Sequence, residues 1–412
     1  MGPISQSTMR TSFVLGIRLL IQAGTLLLVA RLLGPDDFGL FAGIAALAVL
    51  MGTFSTFGTH LVLLGEVSKN HAQGTHILRY AIPTTLIVGS LLLFLYIFIC
   101  LLFFHSLGAS LTVIICIGLT EIILLPLFLL STTEELALEK TAQSQLLTIF
   151  PLALRTLAVV MVLLVNYAEP LILFAWLYFI SALVALGCRK IYKPNAWLKA
   201  RQWRLASKQD LKNSAGYAAL ALTAAGPSEL DKILAIKLMP LGMSGLYIGA
   251  SRIIGATVLP VMALLLSTLP RFFRESLLIS IESHRLLKWI FITVICYSLI
   301  LTIIIWYMAP LVEMLFGLEY QGLGNILKWI CLAVPALSIR IIVANLFMTL
   351  SKPWLRAGFE VFGTVILIFF SIFSVEYFET NSIVFAVISA EWAMAIIGVF
   401  ILFKYKNNKL NI

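Results

Sequence analysis

Eleven ionisable side chains interrupt stretches of sequence otherwise built from Leu, Ile, Val, Phe, Ala and Gly. They are Arg18, Glu121, Arg155, Glu229, Asp231, Lys232, Arg252, Lys328, Arg340, Glu360 and Glu391. At the centre of a hydrocarbon layer an Arg, Lys or Asp costs roughly 2.5–3.5 kcal/mol, so such groups must face water or one another. Guanidinium stays protonated and offers paired donors, which suits it to phosphate or carboxylate. Arg18, Arg155, Lys232, Arg252 and Arg340 therefore form a candidate cationic set for an anionic substrate. Glu121, Glu229, Asp231, Glu360 and Glu391 are candidate ion-pair partners, or groups that load a coupling ion. Lys328, near a helix end, is expected to snorkel to the interface.

Spacing adds to this. Arg18, Gln22 and Thr25 lie at i, i+4 and i+7, one polar stripe of a helix. Gly52, Ser55, Thr56, Thr59 and His60 form a second stripe of small and polar residues, suited to close helix packing. Gly226-Pro227 stands in the middle of an apolar run, where proline removes a donor, so a helix kink or break is expected there. Just beyond it come Glu229, Asp231 and Lys232, with Glu229 and Lys232 at i, i+3. Charges beside a broken helix near the midplane are one way to build a transport site. A buried lattice of ion pairs is the structural alternative.

The elements that must carry these residues are membrane helices. Of the 412 residues, 61% are hydrophobic and 12% charged, and the mean hydropathy is +1.03. A water-facing surface cannot be made from that composition, which excludes a soluble enzyme, a disordered chain and a small disulfide scaffold. Apolar runs fall at 11–33, 39–65, 78–104, 108–131, 146–166, 170–188, 213–239, 244–270, 289–312, 325–350, 355–375 and 382–403. Each approaches the roughly 20 residues that span a bilayer as a helix. They are continuous, unlike the alternating segments of a barrel. Gly34-Pro35-Asp36-Asp37, Asn166 to Pro170 and Thr380-Asn381-Ser382 punctuate them. The first run is expected to be retained rather than cleaved as a signal peptide.

With the N-terminus inside, 21 of the 29 Lys and Arg lie in cytoplasmic segments, six within spans, and only Arg31 and Lys237 in outer loops. That bias places both termini in the cytoplasm and supports an even number of spans. The basic stretch 189–212 is expected to contact anionic inner-leaflet lipids rather than nucleic acid. It separates two halves, 1–188 and 213–412. Residues 30–43 overlay 236–249, with Leu32/Leu238, Gly39/Gly245, Leu40/Leu246 and Gly43/Gly249 identical. The expected fold is thus all-α, with twelve transmembrane helices in two six-helix bundles. A pseudo-two-fold axis along the membrane normal relates them, and the substrate path lies in the cleft between.

These residues carry a resemblance. Arg31-Leu32-Leu33-Gly34-Pro35-Asp36-Asp37-Phe38-Gly39-Leu40 resembles the turn after the first helix of polysaccharide and oligosaccharide flippases. Glu229-Leu230-Asp231-Lys232-Ile233-Leu234, followed by Gly245-Leu246-Tyr247, is similar to a pattern around their seventh helix. Pro240-Leu241-Gly242 departs from the repeated Leu-Gly-Pro of many relatives. The resemblance is to Wzx-type O-antigen or capsule repeat-unit translocases of the multidrug/oligosaccharidyl-lipid/polysaccharide exporter superfamily. It implies a V-shaped pair of bundles in a bacterial inner membrane, flipping an undecaprenyl-diphosphate-linked glycan outward. A polysaccharide polymerase would be the downstream partner.

No Walker sequence occurs, so any drive is secondary, with H+ or Na+ as the coupling ion and no other cofactor. A drug or organic-cation antiporter of the same superfamily is the nearest alternative, disfavoured mildly by six bases against five acids within the spans. A membrane glycosyltransferase or polysaccharide ligase is the enzyme alternative, disfavoured by short outer loops. Residues 132–140, with Glu134, Glu135 and Glu139, read as a solvated inter-helix turn rather than a metal site. Cys100, Cys116, Cys188, Cys296 and Cys331 are too scattered for a disulfide framework or metal ligation.

Overall fold

A backbone surrounded by lipid has to satisfy its own polar groups, and helices do so within one segment. The structure, a computed structural model, describes residues 3–104, 107–138, 140–165, 167–192, 200–262, 264–265, 268, 281–349, 353–378 and 381–410. Among the described residues there is no strand. The helices are α1 (Pro3–Ser55), α2 (Thr59–Lys69), α3 (Gln73–Phe103), α4 (Leu111–Gly118), α5 (Leu125–Ala137), α6 (Thr141–Val165) and α7 (Pro170–Tyr192). They continue with α8 (Lys208–Leu238), α9 (Leu241–Thr257), α10 (Ile281–Phe316), α11 (Leu323–Ile330), α12 (Val334–Thr349), α13 (Pro353–Phe378) and α14 (Ser382–Leu410).

Among the described residues ten stretches are long and apolar enough to cross a membrane, and one of them, Gly16–Ser55, overlaps both of the first two expected spans. The more charged α8 covers the remaining one, so each of the twelve expected spans holds a helix among the described residues. Leu91, Phe94, Phe98, Leu164 and Met314 are exposed, as side chains in contact with lipid would be. Lys193, Lys199, Lys352, Glu139, Asn166, Thr380 and the basic residues Arg271 and Arg274 lie outside the described residues.

Four local expectations are corrected. The turn at Gly34–Asp37 shrinks to one residue: only Gly34 leaves helical geometry (φ 69°, ψ 171°), and Pro35 restarts the helix at once. The span expected at 39–65 breaks instead at Phe57 (φ 49°) and Gly58 (φ 73°). No break occurs at Gly226-Pro227; α8 runs through Pro227, so proline there removes one hydrogen bond without ending the helix. Residues 132–137 continue α5 and are largely buried, not a solvated turn. Fully enclosed Glu135 pairs with Arg189 of α7 at 2.7 Å, with Lys140 at 3.8 Å.

The chain divides into two compact units, Met1–Ala225 and Gly226–Ile412, and the boundary falls inside α8. In the first, α6 packs along α1 and α7, and α2, α3 and α5 enclose a core of Leu63, Val67, Ile77, Leu78, Leu127 and Leu130. In the second, α14 packs on α12 and α13, and α10 on α11 and α12. A six-residue π-turn, Leu119–Leu124, separates α4 from α5. Ser55 Oγ donates to the Ile122 carbonyl at 2.6 Å, caring for an acceptor in the altered ladder. A Cβ on Gly52 would lie 2.2 Å from the Glu121 carbonyl oxygen, so only glycine lets α1 approach this closely.

The start of α8 is capped reciprocally. Ser207 Oγ accepts from the Asp210 amide at 3.2 Å, while Asp210 Oδ2 accepts from the Ser207 amide at 2.8 Å. Arg204 donates to the same Oδ2 at 2.8 Å, its guanidinium lies 4.6 Å from the Tyr80 ring centre, and its amide donates to the Arg79 carbonyl. The Arg204 hydrogen bond, with help from Ser207, holds the Asp210 carboxyl down at about 2. A carboxyl depressed in the folded state stabilises above its unfolded value, and that contribution disappears as pH falls towards about 2. Asp210→Asn is therefore expected to melt below the wild type at pH 6, in detergent, with the gap closing between pH 4 and 2. A gap independent of pH would show that the carboxylate charge is not what holds this end of α8.

Candidate functional site

In the second unit, charge collects in two linked groups. Lys232 on α8 faces Glu229 one turn earlier, with Nζ 3.0 Å from Glu229 Oε2 and 4.0 Å from Asp231 Oδ1, and it also donates to the Ser228 carbonyl. Asp231 turns the other oxygen to α9, accepting from Tyr247 Oη at 2.7 Å and Ser251 Oγ at 3.2 Å. The fully buried Tyr247 hydroxyl would lose its charged acceptor without that carboxylate. Gly226 lets α8 approach Thr364 of α13, whose hydroxyl would lie 3.2 Å from a Cβ there and donates to the Glu360 carbonyl.

Arg340 of α12 is the centre of the second group. Its Nη1 donates to Glu360 Oε2 of α13 at 2.8 Å and its Nε to Glu391 Oε2 of α14 at 2.7 Å. One guanidinium thus ties three helices. Arg356, counted from sequence as a cytoplasmic charge, lies within electrostatic reach of Glu360, and Glu391 within reach of Tyr247. Lys232 and Arg340 are therefore already ion-paired with carboxylates. Arg252, also in this unit, has no ion pair among the described residues.

The first unit treats its cations differently. Along α1 the polar stripe faces α6, with Arg18 Nη1 donating to Gln145 Oε1 at 3.0 Å and the Thr25 and Thr156 hydroxyls 2.5 Å apart. Next to Thr156, Arg155 enters an aromatic seat. Its guanidinium lies 4.5 Å from the ring centre of Tyr178, 5.6 Å from Phe41 and 6.0 Å from Phe174. The rings brace one another, Phe41 edge-on to Phe174 at 5.2 Å and Phe174 stacked on Tyr178 at 6.1 Å. Arg155 Nε is buried without a hydrogen-bond partner, and among the described residues no carboxylate lies within ion-pair distance of Arg155 or Arg18. Tyr178 donates its hydroxyl to Glu121 Oε1, on the π-turn.

Six of the eleven charges thus form an ion-paired lattice in the second unit, while Arg18 and Arg155 in the first have no carboxylate within ion-pair distance among the described residues. His60 bonds Thr56 one turn away at 2.7 Å. Phe41, Phe174, Tyr178, Tyr247 and Ser251 were not singled out as site residues from sequence. The i, i+4 placing of Phe174 and Tyr178 on one helix was the available signal. The five cysteines are free.

The sequence profile of polysaccharide biosynthesis proteins matches residues 4–274, more than half of the chain. No curated protein matches it by sequence. Among solved structures, an inward-facing multidrug resistance MATE family transporter of the MOP superfamily superposes with a TM-score of 0.74 at 14% identity, over 98% of each chain. An outward-facing transporter of that family gives 0.67 at 14% identity, over 100% of this chain and 96% of the other. A MOP superfamily transporter from Pyrococcus furiosus, described by the reverse polarity of its binding pocket, gives 0.68 at 13% identity over the same shares. At such identities these likenesses establish the fold, that of MOP superfamily transporters. By its profile match the chain belongs to the polysaccharide biosynthesis protein family.

Proposed function

We propose that the protein flips a polyprenyl-diphosphate-linked oligosaccharide, an O-antigen or capsule repeat unit, from the inner to the outer leaflet of a bacterial cytoplasmic membrane. It does so by alternating access, with both termini cytoplasmic and H+ or Na+ as coupling ion. The observation that carries this reading is Arg155: a guanidinium held in a ring seat, with a buried unbonded Nε and no carboxylate in ion-pair distance among the described residues. A charge placed in an apolar unit without a counter-charge costs energy until an anion answers it. A lipid diphosphate supplies that anion. Arg18, which donates to Gln145, likewise has no carboxylate within ion-pair distance among the described residues. Anionic inner-leaflet lipids beside the 189–212 segment, and a polymerase that takes the flipped product, are the partners this reading expects.

Arg155→Gln is expected to slow flipping of a radiolabelled lipid-linked sugar in proteoliposomes at least tenfold. The accompanying stability loss should not exceed the roughly 0.5–2 kcal/mol of a cation–π contact. Unchanged flipping by the variant would overturn the reading. A deletion strain that keeps normal surface glycan but loses efflux of organic cations would favour the drug antiporter instead.

A further inference from the structure

Arg155 is tied to an acid indirectly. The Tyr178 ring carries the guanidinium on its face while its hydroxyl donates to Glu121, which the π-turn presents from between α4 and α5. The acids of the second unit answer ammonium and guanidinium groups directly, so protonating one would weaken a buried ion pair. Glu121 answers a phenol, and its protonation leaves Tyr178 neutral. We infer that Glu121, Tyr178 and Arg155 form one relay, in which proton uptake by Glu121 strengthens the hold of Arg155 on an anionic headgroup. This deepens the flippase reading and rests on it.

The direction follows from elementary electrostatics. An ionised Glu121 makes a charge-assisted bond to the Tyr178 hydroxyl. It enriches the ring electronically and anchors it, which favours the Arg155 stack. Its negative charge also offsets part of the field of Arg155. When the carboxylate gains a proton the phenol loses its ionic acceptor, the ring holds the guanidinium less firmly, and a phosphate competes better for it. Proton and anion therefore bind with positive cooperativity, and linkage makes the effect reciprocal.

Among the elements packed on the π-turn, α7 carries the group that touches both Glu121 and Arg155, Tyr178. From α3 the turn meets Tyr96, within electrostatic reach of Glu121 and bonded to Cys100. From α1 it meets Gly52 and Ser55, with Asp36 and Asp37 about four turns away on the same arm. On α4 the nearest titratable group is Cys116, and on α5 it is Glu134, thirteen residues along the chain from Glu121. On α7 it is Tyr178 itself.

The test uses the full-length protein in detergent with geranylgeranyl diphosphate as the probe. Because the probe's own phosphates titrate, each variant is compared with the wild type at the same pH. Glu121→Gln, a permanent mimic of the protonated acid, is expected to bind the probe about tenfold more tightly than the wild type at pH 8, within the usual range of coupling. At low pH the two should converge. Tyr178→Phe keeps the ring but not the hydroxyl, and should lose most of this pH-dependent difference. A purely structural tyrosine would lower the melting point and leave the pH profile of binding unchanged, and that result overturns the relay. So does a Glu121→Gln protein that binds like the wild type at every pH. A second readout needs no probe: the pH-difference infrared spectrum should contain a carboxyl band that Glu121→Gln abolishes and Tyr178→Phe shifts. If that band behaves as expected and no variant binds the probe, the prenyl-diphosphate reading fails while the Glu121–Tyr178 link stands. If the probe binds in an Arg155-dependent way and the band is unaffected by either variant, the relay fails alone.

Discussion

Arg340→Met is expected to destabilise the protein by about 3–5 kcal/mol, the usual cost of removing one partner from a buried ion pair. The guanidinium answers two carboxylates from two other helices, Glu360 and Glu391, at 2.8 and 2.7 Å. Methionine fills much of the same volume, so most of the loss should come from leaving two acids uncompensated rather than from a cavity. The triple variant Arg340→Met, Glu360→Gln, Glu391→Gln checks this. It removes all three charges together and is expected to recover most of the stability, because desolvation largely cancels the attraction in a buried pair. Thermal melting in one detergent, followed by near-ultraviolet circular dichroism, distinguishes the cases. A single variant that melts like the wild type would mean that these groups are wet. Melting of the triple variant well below the single one would mean that the helices are held by the hydrogen bonds themselves.

Gly58→Ala is expected to be comparably damaging, for a reason in the backbone. Gly58 lies between α1 and α2 at φ 73°, and the added Cβ would meet the Ser214 carbonyl oxygen at 2.5 Å and the Ala218 nitrogen at 2.6 Å, both on α8. The left-handed conformation alone costs a non-glycine residue about 1–3 kcal/mol. The contacts add to this, since main-chain atoms of a packed helix cannot turn aside as a flexible side chain can. Gly65→Ala in the middle of α2 is the control. Nothing lies within 4 Å of the new Cβ, and alanine in an open helical position should be neutral or stabilising by about 0.4–1 kcal/mol. Equal melting of the two variants would show that α8 does not press on Gly58.

Much of the frame was legible because a membrane imposes long apolar runs. Each of the twelve runs carries a helix among the described residues, and the buried charges could be identified as a set before their partners were known. Within one helix the sequence also disclosed partners: Glu229 and Lys232, three residues apart, meet as spacing requires. Across helices it did not. Arg340 reaches acids 20 and 51 positions away, and no periodicity states how α12, α13 and α14 are rotated towards one another. Glu135 was misread for a related reason. Its stretch is polar enough to pass for a loop, yet Thr132, Thr133 and Glu135 all turn inward, Glu135 to Arg189. Proline at 227 does not break α8, because one missing donor can be accommodated inside a helix that its neighbours support. The seat of Arg155 needed both kinds of knowledge: α7 supplies two rings at helical spacing, and the packing of α1 against α7 brings Phe41 to complete it.

The π-turn at Leu119–Leu124 has a consequence for comparing this chain with its relatives. An inserted residue in a helix swings everything on one side of it by about 100° relative to the other. A relative whose fourth span is regular should therefore align only with a one-position gap near Glu121. An ungapped alignment would keep the hydropathy trace and yet equate Glu121 with a residue on a different helix face.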